Sequence, residues 1–251
     1  MKILVPVKRV PDPDTKIRVN ADGSGLDSDG VKFAVNPFDA IALEEALRLR
    51  DQLGAAEIQV VSIGAADCQE QLRAGLAMGA DRALLVRYDA ELDSLAVAKI
   101  LAAVWRLERP DIVLMGKQAI DDDSNQAGQM LAALLGIGQA TFISRLTLST
   151  DGSRAICSRE TDAGLENVTV ALPAVLTTDL RLNEPRYVTA LGIMKAKKKP
   201  LEEIVPADLG VDAKSRTRLL KLAPAPQRKA GVRVKTVDEL LEKLRDEVRV
   251  I

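Results

Sequence analysis

Histidine is absent from this chain of 251 residues. That excludes Ser-His-Asp and Cys-His catalysis, His-ligated metals and the one side chain that titrates near neutrality unaided. Aromatic residues make up only 2% of the sequence, too few to build a stacking platform for nucleic-acid bases. There are two cysteines, Cys68 and Cys157, in separate segments without metal-ligand spacing; they read as reduced, structural thiols. No apolar run is long enough to span a membrane. The opening MKILVPVKRV lacks both the apolar core and the small-residue cleavage site of an export signal, so a soluble intracellular protein is expected. A formal net charge of -1 argues against bulk nucleic-acid binding and leaves electrostatic recognition to local patches. No glycine-rich P-loop or dinucleotide fingerprint is present.

What the sequence does contain is a regular alternation of short apolar runs and amphipathic stretches. Ile3 to Val7, Ile58 to Ile63, Ala83 to Val86 and Asp111 to Met115 read as strands. Helices are expected from Asn36-Pro37 to Gly54, from Asp67 to Met78, from Leu92 to Leu107 and from Asp123 to Leu135. Asn36 is placed to cap the first helix, and Pro37 suits its first turn. Continuously apolar strands alternating with helices predict a doubly wound, mostly parallel α/β sheet. From Leu146 the rhythm changes. Leu146 to Ser149, Ala155 to Arg159 and Val168 to Leu172, separated by turn residues, predict an antiparallel hairpin addition before a further strand, Ala174 to Thr178. This α/β domain is expected to cover residues 1–222. Residues 223–251 follow as a proline-rich, basic linker with Arg228 and Lys229. The linker leads to an amphipathic helix near Thr236 to Arg245, which has something to pack on, its own surface or another subunit.

Two loops at the carboxyl ends of strands stand out as ligand loops. One contains Asn36-Pro37-Phe38-Asp39. The other is GKQAIDDDSNQAGQM, Gly116 to Met130, where Gly116 permits close backbone approach and a helix beginning near Ser124 offers free amides to a phosphate. Asp121, Asp122 and Asp123 could accept bonds from a nucleoside or cap the helix; three carboxylates beside a phosphate would repel it, so some must point away. A third segment, DLRLNEPRYVTALGIMKAKKKP from Asp179 to Pro200, combines charge around Pro185 with an apolar hinge, Leu191-Gly192-Ile193-Met194, and a run of lysines. It reads either as a docking loop or as a solvated connection.

VKRVPDPDTKIRV, NPFDAIALEEALRL, ALAMGADRALLV and the two segments just quoted occur in order across nearly the whole chain. Together they resemble the β subunit of electron transfer flavoprotein, of the AMP-binding type that serves acyl-CoA dehydrogenases in fatty acid oxidation. The resemblance implies an adenine-nucleotide-binding, Rossmann-like fold with a C-terminal extended arm. It also implies a heterodimer with an α subunit that holds most of one FAD, and a structural AMP in β. The implied AMP site is Pro6, Asn36, Pro37, Phe38, Asp39, Ile63, Gly116, Lys117, Gln118, Ala119, Ile120, Asp121, Asp122, Asp123, Ser124, Asn125, Gln126 and Ala127. Backbone groups around Asn125 to Ala127 would hold the phosphate, and Phe38 would contact the FAD. Leu191, with Ile193, Met194, Lys195, Lys197, Lys198 and Lys199, corresponds to the loop that recognises partner dehydrogenases. The lysines either steer acidic partners or form a soluble face.

The resemblance implies an electron carrier with no catalytic residues, no metal and no substrate chemistry of its own. It would take electrons from flavin dehydrogenases and pass them to electron transfer flavoprotein-ubiquinone oxidoreductase. Its place would be the bacterial cytoplasm or, in a eukaryote, the mitochondrial matrix. The family pattern has a hydroxyl residue where Ala127 stands and alanine where Pro6 stands. The missing hydroxyl removes a phosphate contact worth on the order of 1 kcal/mol. An aromatic of some relatives is absent near Pro13, which thins the flavin contact. Two other readings stand beside this one: a flavin-bifurcating relative with a second FAD in the AMP site, and a stand-alone nucleotide-binding or adenylating enzyme.

Overall fold

The computed structural model describes residues 1–228 and 230–251; Lys229, expected in the basic linker, lies outside the described residues. The chain divides into two compact units, Met1–Ile17 with Asp27–Leu219, and Arg18–Leu26 with Leu220–Ile251.

In the first unit β1 (Lys2–Pro6) is followed by a short antiparallel pair, β2 (Arg9–Pro11) and β3 (Phe33–Val35). Then come α1 (Pro37–Leu53), β4 (Glu57–Gly64), α2 (Gln69–Met78), β5 (Arg82–Arg87), α3 (Ser94–Glu108), β6 (Ile112–Gly116) and α4 (Ala127–Leu135). β7 (Gly138–Leu148), β8 (Arg154–Thr161), β9 (Gly164–Ala171), β10 (Ala174–Thr178), α5 (Ala190–Ala196) and β11 (Leu201–Ile204) complete it. The large sheet runs in the order β11-β5-β4-β1-β6-β10-β7-β8-β9. Every pairing from β11 to β7 is parallel, and β8 and β9 add antiparallel strands at one edge.

The strands are apolar on both sides because both sides are covered. Ile3 and Val5 face a core with Leu43 and Leu47 of α1 and Leu72 and Leu76 of α2. Leu4, between them, faces Ile100, Leu101 and Val104 of α3 and Leu131 of α4. The sheet is therefore doubly wound, as the alternation predicts. At the amino ends of the strands Glu108 accepts from Lys2 Nζ at 2.5 Å, Arg82 Nη2 at 2.5 Å and Gln59 Nε2 at 3.2 Å. Arg82, against the cost of burial and with Lys2 assisting, holds the Glu108 carboxyl down to about 2.

Several expectations give way. The helix expected from Asp123 starts at Ala127. Asp123 and Asn125 take left-handed backbone, φ 49° and 48°, and Asp122 Oδ1 accepts from Ser124 N at 3.0 Å, so the acidic run bonds its own turn and does not cap the helix. Asn36 sits at the N-cap position of α1 without capping it, because its side chain reaches across to the second ligand loop. The apolar hinge is helix α5, capped by Thr189 Oγ1 accepting from Gly192 N at 3.0 Å. One strand more than expected follows Ala174 to Thr178, because β11 pairs with β5 at the far edge. β7 starts at Gly138, well before Leu146.

In the second unit Val19 and Leu26 form an isolated bridge, and Leu222 N donates to Gly23 O at 2.9 Å. The expected terminal helix is α6 (Val237–Glu242), N-capped by Thr236, and it runs on into a π-helical turn over Lys243–Val248. Val237, Leu240 and Leu241 are exposed. Among the described residues, no helix is long and apolar enough to cross a membrane.

Candidate functional site

The crossover from β1 leads to β4 on one side, while β6 lies on the other, so strand order reverses at β1. Ligands of such sheets bind outside the carboxyl ends at that reversal. A cavity of about 280 Å³ opens there. Its walls come from Pro6, Val7 and Lys8 after β1, Ile63 and Gly64 at the end of β4, and Met115 and Gly116 of β6. Asn36 and Asp39 come from the start of α1, and the opposite side is Leu92 with Ser94, Val97 and Leu101 of α3. Lys117, Gln118, Ala119, Asp122 and Ser124 to Gly128 close it.

Asp39 holds these elements together. In the first turn of α1, its carboxylate accepts from Lys8 N at 2.8 Å and from Gly116 N at 2.9 Å, joining the ends of β1 and β6. Burial pushes this carboxyl up to about 7 against the pull of those amides, of Asn36 and of the Lys8 charge. Only glycine fits at 116, since a Cβ there would stand 2.6 Å from Phe38 Cβ and 2.9 Å from the Phe38 carbonyl carbon. Asn36 Nδ2 donates to Gln118 O at 2.9 Å, and its Oδ1 accepts from Ile120 N at 3.3 Å. The Asn36 side chain thus fastens the second ligand loop to the first.

The acidic run is partly compensated locally. Lys8 Nζ bonds Asp121 Oδ1 at 2.8 Å and Asp122 Oδ2 at 2.9 Å, and Gln118 Nε2 donates to Asp123 Oδ1 at 2.7 Å. Burial opposes charge on Lys8, but Asp121 and then Asp122 outweigh it and hold the ammonium above its ordinary value. Beyond this loop, the amides of Ala127, Gly128 and Gln129 precede the first helical bond of α4, Met130 N to Gln126 O at 3.0 Å, and the Gln126 side chain does not cap them. Gly128 lets α4 lie close on β10, because a Cβ there would meet Thr177 Cγ2 at 2.6 Å.

Of the residues implied by the resemblance, Pro6, Asn36, Asp39, Ile63, Gly116 to Ala119, Asp122 and Ser124 to Ala127 come together around the cavity. Pro37, Phe38, Ile120, Asp121 and Asp123 lie outside its lining. Phe38 is 6% exposed. Lys117 Nζ sits 5.5 Å from the Phe38 ring centre and 4.7 Å from that of Phe142, and pairs with Asp179 at 2.7 Å. Phe142 occupies a bulge of β7 at φ 58°. Sequence reasoning missed Lys8, whose signal was a cation just past the end of the first strand in a protein with an acidic run. It also missed Ser94, Val97 and Leu101, whose helical spacing looks like any buried face.

The Asp179–Pro200 segment splits into parts with different partners. Its charged first part binds α1: Asn183 Nδ2 donates to Ile41 O at 3.1 Å and Glu45 Oε2 at 2.9 Å, and Arg186 Nε to Glu44 Oε2 at 2.8 Å. Tyr187, Val188, Leu191, Ile193 and Met194 then form an exposed apolar stretch, with Leu191 59% and Tyr187 91% exposed. Lys195, Lys197 and Lys198 are exposed. Lys199 differs from them, because its ammonium donates to Leu76 O at 3.1 Å and Ala80 O at 2.5 Å.

The electron transfer flavoprotein domain family matches residues 25–209. Over 251 residues, the whole of both chains, the sequence is 55% identical to the electron transfer flavoprotein subunit beta of Bradyrhizobium diazoefficiens. It is 51% identical to the mitochondrial subunit beta of Arabidopsis thaliana, again over the whole of both chains. Against the human subunit beta it is 50% identical over 254 residues, covering 100% of this chain and 99% of the human one. A match of this extent, on a doubly wound sheet with its cavity at the strand reversal, is decisive: the chain belongs to the electron transfer flavoprotein family, among its β subunits.

Proposed function

We propose that this chain is the β half of a two-subunit electron carrier and that its cavity holds AMP as a structural nucleotide. The observation that carries the reading is the cradle at the reversal point, where the unpaired first-turn amides of α4 face a cavity closed on another side by Gly116. Amides at a helix start favour a phosphate, and Lys8 partly offsets the neighbouring carboxylates. A volume of about 280 Å³ lies just under the roughly 300 Å³ at which ligand sites start, which favours a mononucleotide over a dinucleotide. The residues present therefore fit AMP. Ala127 offers its amide without a hydroxyl, which supports a phosphate held by backbone.

In this reading an α subunit holds most of the FAD, which supplies the one-electron and two-electron chemistry; Phe38 contributes a wall, and the exposed face of the terminal helix packs on α. The chain itself carries out no substrate chemistry. Flavin dehydrogenases of the acyl-CoA type dock on Leu191 and its neighbours, with Lys195, Lys197 and Lys198 attracting acidic surfaces. Electrons then leave for a membrane quinone oxidoreductase, in the bacterial cytoplasm or mitochondrial matrix.

Mass analysis of nucleotides released from the co-purified complex tests this directly. One FAD and one AMP per complex are expected. Two FAD and no AMP would favour the bifurcating reading, and no nucleotide besides a single FAD would refute the AMP site. Leu191→Ala should weaken electron transfer from donors with FAD content unchanged, because one interface anchor carries about 2 kcal/mol. Unchanged rates with several donors would refute the docking role.

A further inference from the structure

A helix as short as α5, Ala190–Ala196, has no stability of its own in water. It exists only if something outside it satisfies its ends and buries a face. Its start is capped by Thr189. Its carbonyl end is satisfied by α2, where Arg73 Nη1 donates to Ala196 O at 2.7 Å and Lys199 O at 2.8 Å. The exchange is reciprocal, because the Lys199 ammonium donates to Leu76 O and Ala80 O at the carbonyl end of α2. Between these ends the backbones nearly touch, and a Cβ on Gly192 would stand 2.6 Å from Ala77 O. Ala196 is buried at 2% exposure, while Leu191 stays 59% exposed on the outer face.

We propose that Arg73 and Lys199 are positioning residues for partner docking, a reciprocal clamp on helix-terminal carbonyls that holds α5 folded on α2 and presents Leu191 pre-formed. The inference rests on the docking role of Leu191 proposed above. The lysine run is thereby divided in two, with Lys199 facing inward as an anchor while Lys195, Lys197 and Lys198 remain free for a partner. The clamp also explains why a short apolar helix is exposed without collapsing. Ordering a loop at the moment of binding costs affinity, and a pre-folded anchor avoids that cost.

The test uses the two-subunit complex with Arg73→Met and, separately, Lys199→Met, which keep an aliphatic stem and lose the donors. Amide hydrogen exchange across residues 190–199 should accelerate about tenfold in either variant, with α1 and α3 unchanged, because charge-assisted bonds at the helix end are lost. Exchange at the wild-type rate in both variants would overturn the proposal. With an acyl-CoA dehydrogenase as donor, either variant should raise the donor KM about tenfold with kcat held. Placed on Leu191→Ala, the same substitutions should add less than about twofold, because they act through that side chain. A full, additive effect there would overturn the proposal. If Leu191→Ala alone leaves donors unaffected, the docking role fails, and the exchange measurement decides the clamp by itself. Should Arg73→Met not fold, Lys199→Met carries both readouts.

Discussion

Asn125 offers the sharpest probe of the proposed phosphate cradle. Its backbone stands at φ 48°, between Ser124 and Gln126, which both line the cavity, and its Oδ1 accepts from Gln129 Nε2 at 2.9 Å. Asparagine tolerates left-handed backbone better than other side-chain-bearing residues, and glycine adopts it without strain. Asn125→Gly should keep the loop and lose only the bond to Gln129, a change within about 1 kcal/mol. Asn125→Ala should cost about 1–2 kcal/mol of loop strain. Asn125→Pro cannot keep the conformation, since its ring fixes φ near −65°, roughly 110° away. The amides of Gln126 and Ala127 would then swing off the phosphate. Losing two amide bonds to an anion costs about 3 kcal/mol, or roughly a hundredfold in affinity. Calorimetric titration of AMP into nucleotide-stripped complex should rank Asn and Gly together, Ala below them and Pro far below. A proline variant that binds AMP as tightly as the parent, or a glycine variant as weak as proline, would refute the cradle.

Other expectations concern titration and packing. Glu108 is held near 2 in the folded chain against 4.5 unfolded, so its contribution is present above pH 4.5 and is lost as pH falls toward 2. After solvent screening that is about 1–2 kcal/mol, and Glu108→Gln should lower the urea midpoint at pH 7 but scarcely at the acid end. Asp39 has the opposite sign: raised from 3.8 to about 7, it favours folding at low pH and loses that contribution as pH rises through about 7. Stability of wild type relative to Asp39→Asn should therefore fall across that window; parallel curves would reject the buried-carboxylate account. Gly116→Ala should lower both thermal stability and AMP content, because its methyl would meet Phe38 backbone that cannot yield; normal values for both would remove the steric argument.

Much of the fold is legible because its signals are local. Asn36-Pro37 starts α1 and Gly54, at φ 73°, stops it where the sequence marks both. Apolar runs identify β1, β4, β5 and β6, and their lack of alternation reports that both faces are covered. The parts that escape are fixed by partners far along the chain. Gly138 to Ala140 has little strand character of its own and pairs with β10, which comes later in sequence. Leu201–Ile204 carries two glutamates and becomes a strand only because β5 offers an open edge; charge in such a place suits an edge strand.

The site shows the same division, with one instructive exception. Its loops are legible because parallel topology brings every strand-to-helix connection to one end of the sheet, whatever the loops contain. The acidic run, by contrast, looks in sequence like a cap or an obstacle to phosphate, because its own residues carry no counter-charge. Lys8 lies more than a hundred residues away and meets Asp121 and Asp122 only after the sheet forms. One ammonium shared by two carboxylates offsets half of their charge and ties them down; they brace the loop, and the negative wall that opposes the free amides of α4 is weakened. Successive aspartates therefore do not by themselves rule out the proposed phosphate role of this loop, because a lysine from a neighbouring strand end reaches two of them.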